Sequence, residues 1–232
     1  MVQVNNTPIT LRIKFQKTGN LQYISHLDLV RTVNKIIVRA GFPLRYTEGF
    51  NPKPKMVFAA PLSIGTESLT EFLDVRLTEE IDCEEAVRMF NANSTEELKA
   101  ITAYYPTSKL TDMKWLSYLI EIKTNSATKT LAEQCEEVLL ADKVEVEKKT
   151  KNKDIVLTDI RGQIRSVNAV LDGDVIRINA VLSADSSSFL NPEYIIKALR
   201  SSLGILSSPC LTDEYYSIFR IEAFCEDMTP FQ

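Results

Sequence analysis

The chain has a single histidine, His26, and a single tryptophan in 232 residues. Its four cysteines, Cys83, Cys135, Cys210 and Cys225, lie far apart and form no Cys-x-x-Cys pair. These absences argue against a dedicated zinc site or a cysteine-held iron–sulfur cluster, and read the thiols as reduced structural residues. Seven glycines and nine prolines are too few for a collagen-like or disordered chain. No apolar run approaches the ~18 residues of a membrane-spanning helix. Residues 1 to 10 show no basic segment leading into an apolar one, so no secretory signal is expected and the cytoplasm is the expected compartment.

What is present is an uneven charge. Residues 1 to 58 hold nine basic and two acidic side chains, a net of +7, whereas the rest of the chain carries a net of −11. A basic field laid over turn formers and aromatics points to an anionic partner, and nucleic acid is the expected one. With 44% apolar and 25% charged residues the chain can bury an ordinary core.

The hydrophobic pattern divides the chain in two. Leu11, Ile13 and Phe15 alternate with Arg12, Lys14 and Gln16, a strand with one basic face. Ser25 with Asp28 is an N-terminal cap for a helix whose apolar positions are Leu29, Val30, Val33, Ile36, Ile37 and Ala40, ended by Gly41. Strands are expected at Lys55–Ala60, Glu71–Leu77 and Leu98–Tyr105, with a helix capped by Asp82 and running through Phe90. Residues 42 to 54 read as a short strand and an irregular loop.

The second half repeats this order. Strands are expected at Trp115–Ile122, Val144–Lys149, Gln163–Leu171, Val175–Leu182 and Tyr216–Phe224. Helices are expected at Thr130–Leu140 and from Asn191-Pro192 to Gly204. Asp172-Gly173 marks a hairpin turn. The order predicts an α+β protein built from two ferredoxin-like (βαββαβ) halves, antiparallel sheets with helices on one face. A basic half, residues 1–110, and an acidic half, residues 111–232, would join near Ser108 to Asp112.

Arg31, Lys35 and Arg39 are spaced by four, so they share a helix face spanning ~12 Å, enough to meet several phosphates. Arg12 and Lys14 add a basic strand face, and Arg45, Lys53 and Lys55 a basic loop. Within that loop Gly49-Phe50-Asn51-Pro52-Lys53-Pro54 is a rigid turn; Tyr46 and Phe50 offer flat faces for a base, and Asn51 a directional hydrogen bond. The plainer alternatives are a solvated helix face and a Phe50 that plugs the core. His26 sits at the first helical position, a candidate general base or hydrogen-bond partner, or else a helix-entry residue. Ser63-Ile64-Gly65-Thr66 lacks the lysine of a phosphate-binding loop. Lys148, Lys149, Lys151 and Lys153 read as a solvated hairpin tip. Asp185-Ser186-Ser187-Ser188 reads as a polar turn that implies no metal.

One set of residues resembles a known family. Ser25-His26-Leu27-Asp28, Arg31, Arg39-Ala40-Gly41, Pro43-Leu44, Tyr46, Gly49-Phe50-Asn51-Pro52, Pro54, Pro61-Leu62, Gly65 and Glu71 together resemble the radical-SAM-linked proteins. That is a bacterial domain family of unknown function, found beside or fused to a cobalamin-binding radical SAM protein. The resemblance covers about residues 10 to 105; beyond it, Asp159-Ile160-Arg161 and the order of elements match loosely. Lys53 stands where the family pattern often has histidine, which speaks against a mechanism or metal that needs two histidines.

The resemblance implies an accessory protein without a cofactor of its own, whose radical SAM partner carries the cluster and the cobalamin. The first expectation is therefore a non-catalytic partner that presents RNA, such as tRNA or rRNA. A second is a protein-interaction module that docks on the radical SAM partner without nucleic acid. A third follows from a likeness of paired ferredoxin-like halves to the CRISPR-repeat-processing endoribonucleases: metal-independent cleavage with His26 as base. Those enzymes carry a glycine-rich loop near the C-terminus, whereas Gly204 is the last glycine here.

Overall fold

The computed structural model describes residues 9–149, 154–208 and 213–232. Two compact units divide it: Met1–Leu110 together with Gln232, and Thr111–Phe231. Both are α+β, and every strand pairing within either unit is antiparallel.

Unit 1 contains β1 (Ile9–Lys17), α1 (His26–Arg39), β2 (Met56–Phe58), β3 (Thr66–Leu77), α2 (Cys83–Ala92) and β4 (Ala100–Tyr104). The strand order is β4-β1-β3-β2. Leu11, Ile13 and Phe15 of β1 are fully buried in one cluster with Leu29, Val33, Ile36 and Ile37 of α1 and Ala86 and Phe90 of α2. Both helices therefore cover the same face of the sheet. The apolar residues of β1 recur every second position and those of α1 at three- and four-residue steps, so each element turns a single side to the core.

Both helix starts follow from the sequence. The Asp28 N–H donates to Ser25 Oγ at 3.2 Å, and the Glu85 N–H to Asp82 Oδ1 at 2.8 Å. Each satisfies one of the donors a helix start leaves unpaired. Strand β3 begins at Thr66, five residues before the expected Glu71. Its early part, with Thr66, Ser68 and Thr70 buried, is too polar to read as a core strand from sequence.

Unit 2 contains β5 (Trp115–Lys123), α3 (Lys129–Leu140), β6 (Glu145–Lys149), β7 (Ile155–Asp159), β8 (Ile164–Asp172), β9 (Val175–Ser183), α4 (Glu193–Leu203) and β10 (Tyr215–Phe224). The order of its main sheet is β10-β5-β9-β8, and β6 and β7 form a separate two-stranded ribbon. Strand β7 was not expected from sequence: its Ile155, Val156 and Leu157 are all exposed, so no inside–outside alternation marks it. Gly204 closes α4 in the left-handed region at φ 66°, donating its N–H to Arg200 O. The expected basic tip from Lys148 to Lys153 falls partly outside the described residues, as do Cys210 and residues 1–8.

Candidate nucleic-acid interface

The irregular loop is a distorted hairpin rather than loose chain. The Lys55 N–H donates to Arg45 O, the Thr47 N–H to Lys53 O, and the Lys53 N–H to Thr47 Oγ1. Tyr46 and Pro54 face each other as a bridge. The base is fixed to β3, because the Arg45 N–H donates to Arg76 O and the Arg76 N–H to Lys55 O. Gly49 at φ 121° takes a conformation that a Cβ would strain, and it lets the tip reverse.

At that tip Phe50 is fully exposed. The core-plug alternative is therefore excluded, and a fully solvated phenylalanine on a braced turn is a flat apolar face held out to water. Tyr46 is partly exposed beside it, Asn51 and Lys53 are exposed, and Arg45 and Lys55 are half-buried at the base. From Arg45 to Lys55 the hairpin carries three cations and one carboxylate, Glu48.

The helix stripe is present but partly engaged. Arg31 Nη1 lies 3.0 Å from Asp28 Oδ1. The hydroxyl of Ser25, and then Arg31, hold the Asp28 carboxyl below its ordinary range. Arg39 Nη2 donates to Asn93 O at 2.7 Å, tying the end of α1 to the end of α2. Lys35 is exposed and makes no ion pair or side-chain hydrogen bond among the described residues.

Arg12 does not lie on this surface. Expected on an exposed basic face, it is fully buried and pairs with Asp74, its register partner on β3. Arg12 Nε and Nη2 reach the two Asp74 oxygens at 2.7 and 3.0 Å. Its remaining donors go to Ser108 Oγ, Ser108 O and Gln232 O. All five guanidinium N–H groups are thus committed, and none is left for a phosphate. Burial opposes the charge on Arg12, yet the bonds and charge of Asp74 hold its pKa above the ordinary arginine value. Lys14 is half-buried with its ammonium 5.6 Å from the Phe72 ring centre. Arg12 and Lys14 lie on the sheet face opposite α1, because Leu11, Ile13 and Phe15 alternate with them.

His26 is half-buried, its ring packed edge-on against Phe58 with centroids 5.6 Å apart. Among the described residues its side chain has no hydrogen bond or ion pair. That geometry fits a helix-entry residue. Around the same helix start the structure adds an apolar group that periodicity did not single out. Tyr23, Leu27 and Ile64 are 66%, 65% and 60% exposed. Ile64 comes alongside because the Gly65 N–H donates to Gln22 O at 2.9 Å. The available signal was Leu27, which falls off the Leu29–Val33–Ile36–Ile37 stripe of its helix.

Among the described residues no group of His, Cys, Asp and Glu could hold a metal ion. No described helix is long and apolar enough to cross a membrane.

Taken together, fold and site define a two-unit α+β protein with a braced, partly basic aromatic hairpin on its first unit. Residues 10–192 match the family described as an uncharacterized protein conserved in bacteria (DUF2344), and the chain belongs to that family. No curated protein matches it. Among solved structures it is similar to a chain in the crystal structure of a Cbf5–Nop10–Gar1 complex, with 12% identity and a TM-score of 0.49. That likeness covers 94% of this chain and 50% of the other, so this chain spans half the length of that neighbour.

Proposed function

We propose that this protein is a non-catalytic, RNA-binding accessory partner of a cobalamin-binding radical SAM enzyme in the cytoplasm. The observation that carries the RNA part is the solvated Phe50 ring, held out on a hydrogen-bonded hairpin between Tyr46 and Lys53. Exposed aromatics flanked by cations suit unpaired bases, which stack on the ring while lysines meet the backbone. Lys35, Lys53 and Lys55 would supply charge, Asn51 a directional hydrogen bond, and Arg31 and Arg39 charge tempered by their partners. The radical SAM part rests on the resemblance carried by the Ser25–Asp28 and Gly49–Pro52 motifs. Our reading of each unit as ferredoxin-like rests on the parallel orders β4-β1-β3-β2 and β10-β5-β9-β8, with β6 and β7 as an insertion in the second.

The test is fluorescence anisotropy with a labelled single-stranded oligoribonucleotide across a salt series. Lys35→Glu with Lys53→Glu should weaken binding and reduce the salt slope by about 1.4, at ~0.7 per lost phosphate contact. Equal affinity and slope for the two proteins would remove the RNA reading.

A second reading has its own observation, the exposed Tyr23, Leu27 and Ile64. An apolar group of this kind at the start of α1 suits docking on a partner protein. Co-purification of a radical SAM protein free of nucleic acid, lost in Leu27→Asp, would favour it.

A further inference from the structure

On unit 2 two lysines converge on one tyrosine ring, and neither forms an ion pair among the described residues. Tyr194 stands in the first turn of α4. Lys148 Nζ lies 4.7 Å and Lys197 Nζ 4.8 Å from the centre of its ring. The two ammoniums are therefore within about 10 Å of each other, facing a shared π system. Arg200 follows Lys197 by three residues on the same helix, so the two lie on neighbouring positions of its surface.

None of the three cations forms an ion pair among the described residues. Lys148 has one polar partner, Gln163 Oε1 at 3.4 Å. Three carboxylates lie nearby, each with its own surroundings. Glu193 accepts the Tyr216 hydroxyl at 2.9 Å, and Glu145 lies 2.7 Å from Lys143. Glu145 and Glu147 line a cleft of about 350 Å³ between β6, β7 and α4 together with Lys197, Arg200, Val146 and Leu157. Burial pulls the Lys148 ammonium below its ordinary pKa, as expected of a lysine set into a fold with no anion beside it.

We propose that Lys148 and Lys197, which flank Tyr194, and Arg200, three residues beyond Lys197 on α4, form a phosphate-binding site on unit 2. The ligand is a phosphate group, either in a nucleic-acid backbone or on a free phosphorylated small molecule. A ring already flanked by two ammoniums keeps both side chains in place, so less rotamer freedom is lost when the anion arrives. Glu145 and Glu147, which line the same cleft as Lys197 and Arg200, limit the affinity for an anion. The site does not depend on the hairpin of unit 1.

The experiment uses the full chain with ¹³C-labelled tyrosine rings, the Tyr194 signal being assigned from Tyr194→Phe. Inorganic phosphate and single-stranded oligouridylate are titrated separately, against chloride at matched ionic strength. Phosphate should move the Tyr194 signal, Lys197→Ala with Arg200→Ala should abolish the response, and Glu147→Gln should strengthen it several-fold. If oligouridylate moves the same signal at concentrations tenfold or more below phosphate, the source is a nucleic-acid backbone. If phosphate alone moves it, the source is a small phosphorylated molecule. A Tyr194 signal that ignores both probes, or that follows chloride equally, overturns the site. The Lys35→Glu/Lys53→Glu protein should retain the full Tyr194 response to phosphate, so failure of the hairpin reading and failure of this one are separable.

Discussion

Arg12 and Asp74 face each other across β1 and β3 as register partners, joined by two parallel hydrogen bonds of 2.7 and 3.0 Å. The pair is 62 residues apart in sequence, and the arginine is sealed from water. Paired in this way, it sets the register of the two central strands of unit 1 rather than an outer surface. A one-residue slip would separate the charges and also turn Leu11, Ile13 and Phe15 away from the helices.

Arg12→Met should destabilise unit 1 by about 3–5 kcal/mol, because it leaves the largely covered Asp74 carboxylate uncompensated. The double variant Arg12→Met/Asp74→Leu should recover most of that loss. Urea unfolding of the four proteins of the cycle is the measurement. A double variant no more stable than Arg12→Met would refute the explanation.

Phe50→Ala should leave stability within about 0.5 kcal/mol of the parent, since the ring buries nothing. The same change should weaken single-stranded RNA binding by about 1–3 kcal/mol, the worth of one stacked base. Thermal unfolding and anisotropy on the same samples separate the two effects. A fall in stability with unchanged affinity would return Phe50 to a structural role.

Asn91 of α2 closes the outer edge of β4. Its Oδ1 accepts the Ala100 N–H at 2.8 Å and its Nδ2 donates to Ala100 O at 2.9 Å. Asn91→Ala strands both main-chain groups of a buried residue and should cost about 1–3 kcal/mol. Asn91→Asp, which keeps the acceptor and loses the donor, should fall between. Chemical denaturation ranks the three, and an Asn91→Ala protein as stable as the parent would show that water replaces the amide. In unit 2, Glu136 plays a similar part on β8, accepting the Ala169 N–H at 2.9 Å.

Acid should erode stability through carboxylates held below their ordinary range. Lys114 and the Ser187 N–H and hydroxyl lower the pKa of Asp185 strongly, and Ser25 and Arg31 lower that of Asp28. A carboxyl depressed in the folded state contributes stability that is fully present above its unfolded value, ~3.9, and is lost as pH falls through the folded value. Asp185→Asn should therefore be less stable than the parent at pH 7, and the difference should shrink below about pH 4. A gap that is constant from neutral to acid pH would disconnect Asp185 from the acid limb.

Local chemistry in the sequence was enough to place the helix caps, the period-two strand β1, the Asp172-Gly173 turn and the Gly49–Pro54 turn with its aromatics and lysines, whereas the hairpin pairing that braces that turn came from the tertiary structure. Each of these is governed by neighbours within a few residues, through backbone geometry and side-chain direction. Strand β7 escaped because periodicity reads burial, and all three of its apolar side chains are exposed.

Alternation tells which residues share a face of a strand; it does not tell whether that face meets water. The chain's own pattern therefore separated Arg12 and Lys14 from the core residues of β1, and tertiary packing decided that Arg12 is sealed against Asp74. The same division applies to Lys148, which reads as part of a solvated run and is instead drawn onto Tyr194, 46 positions away on α4. Charge and spacing are properties of the chain, whereas solvation and counter-charge are set by segments distant in sequence that folding brings alongside.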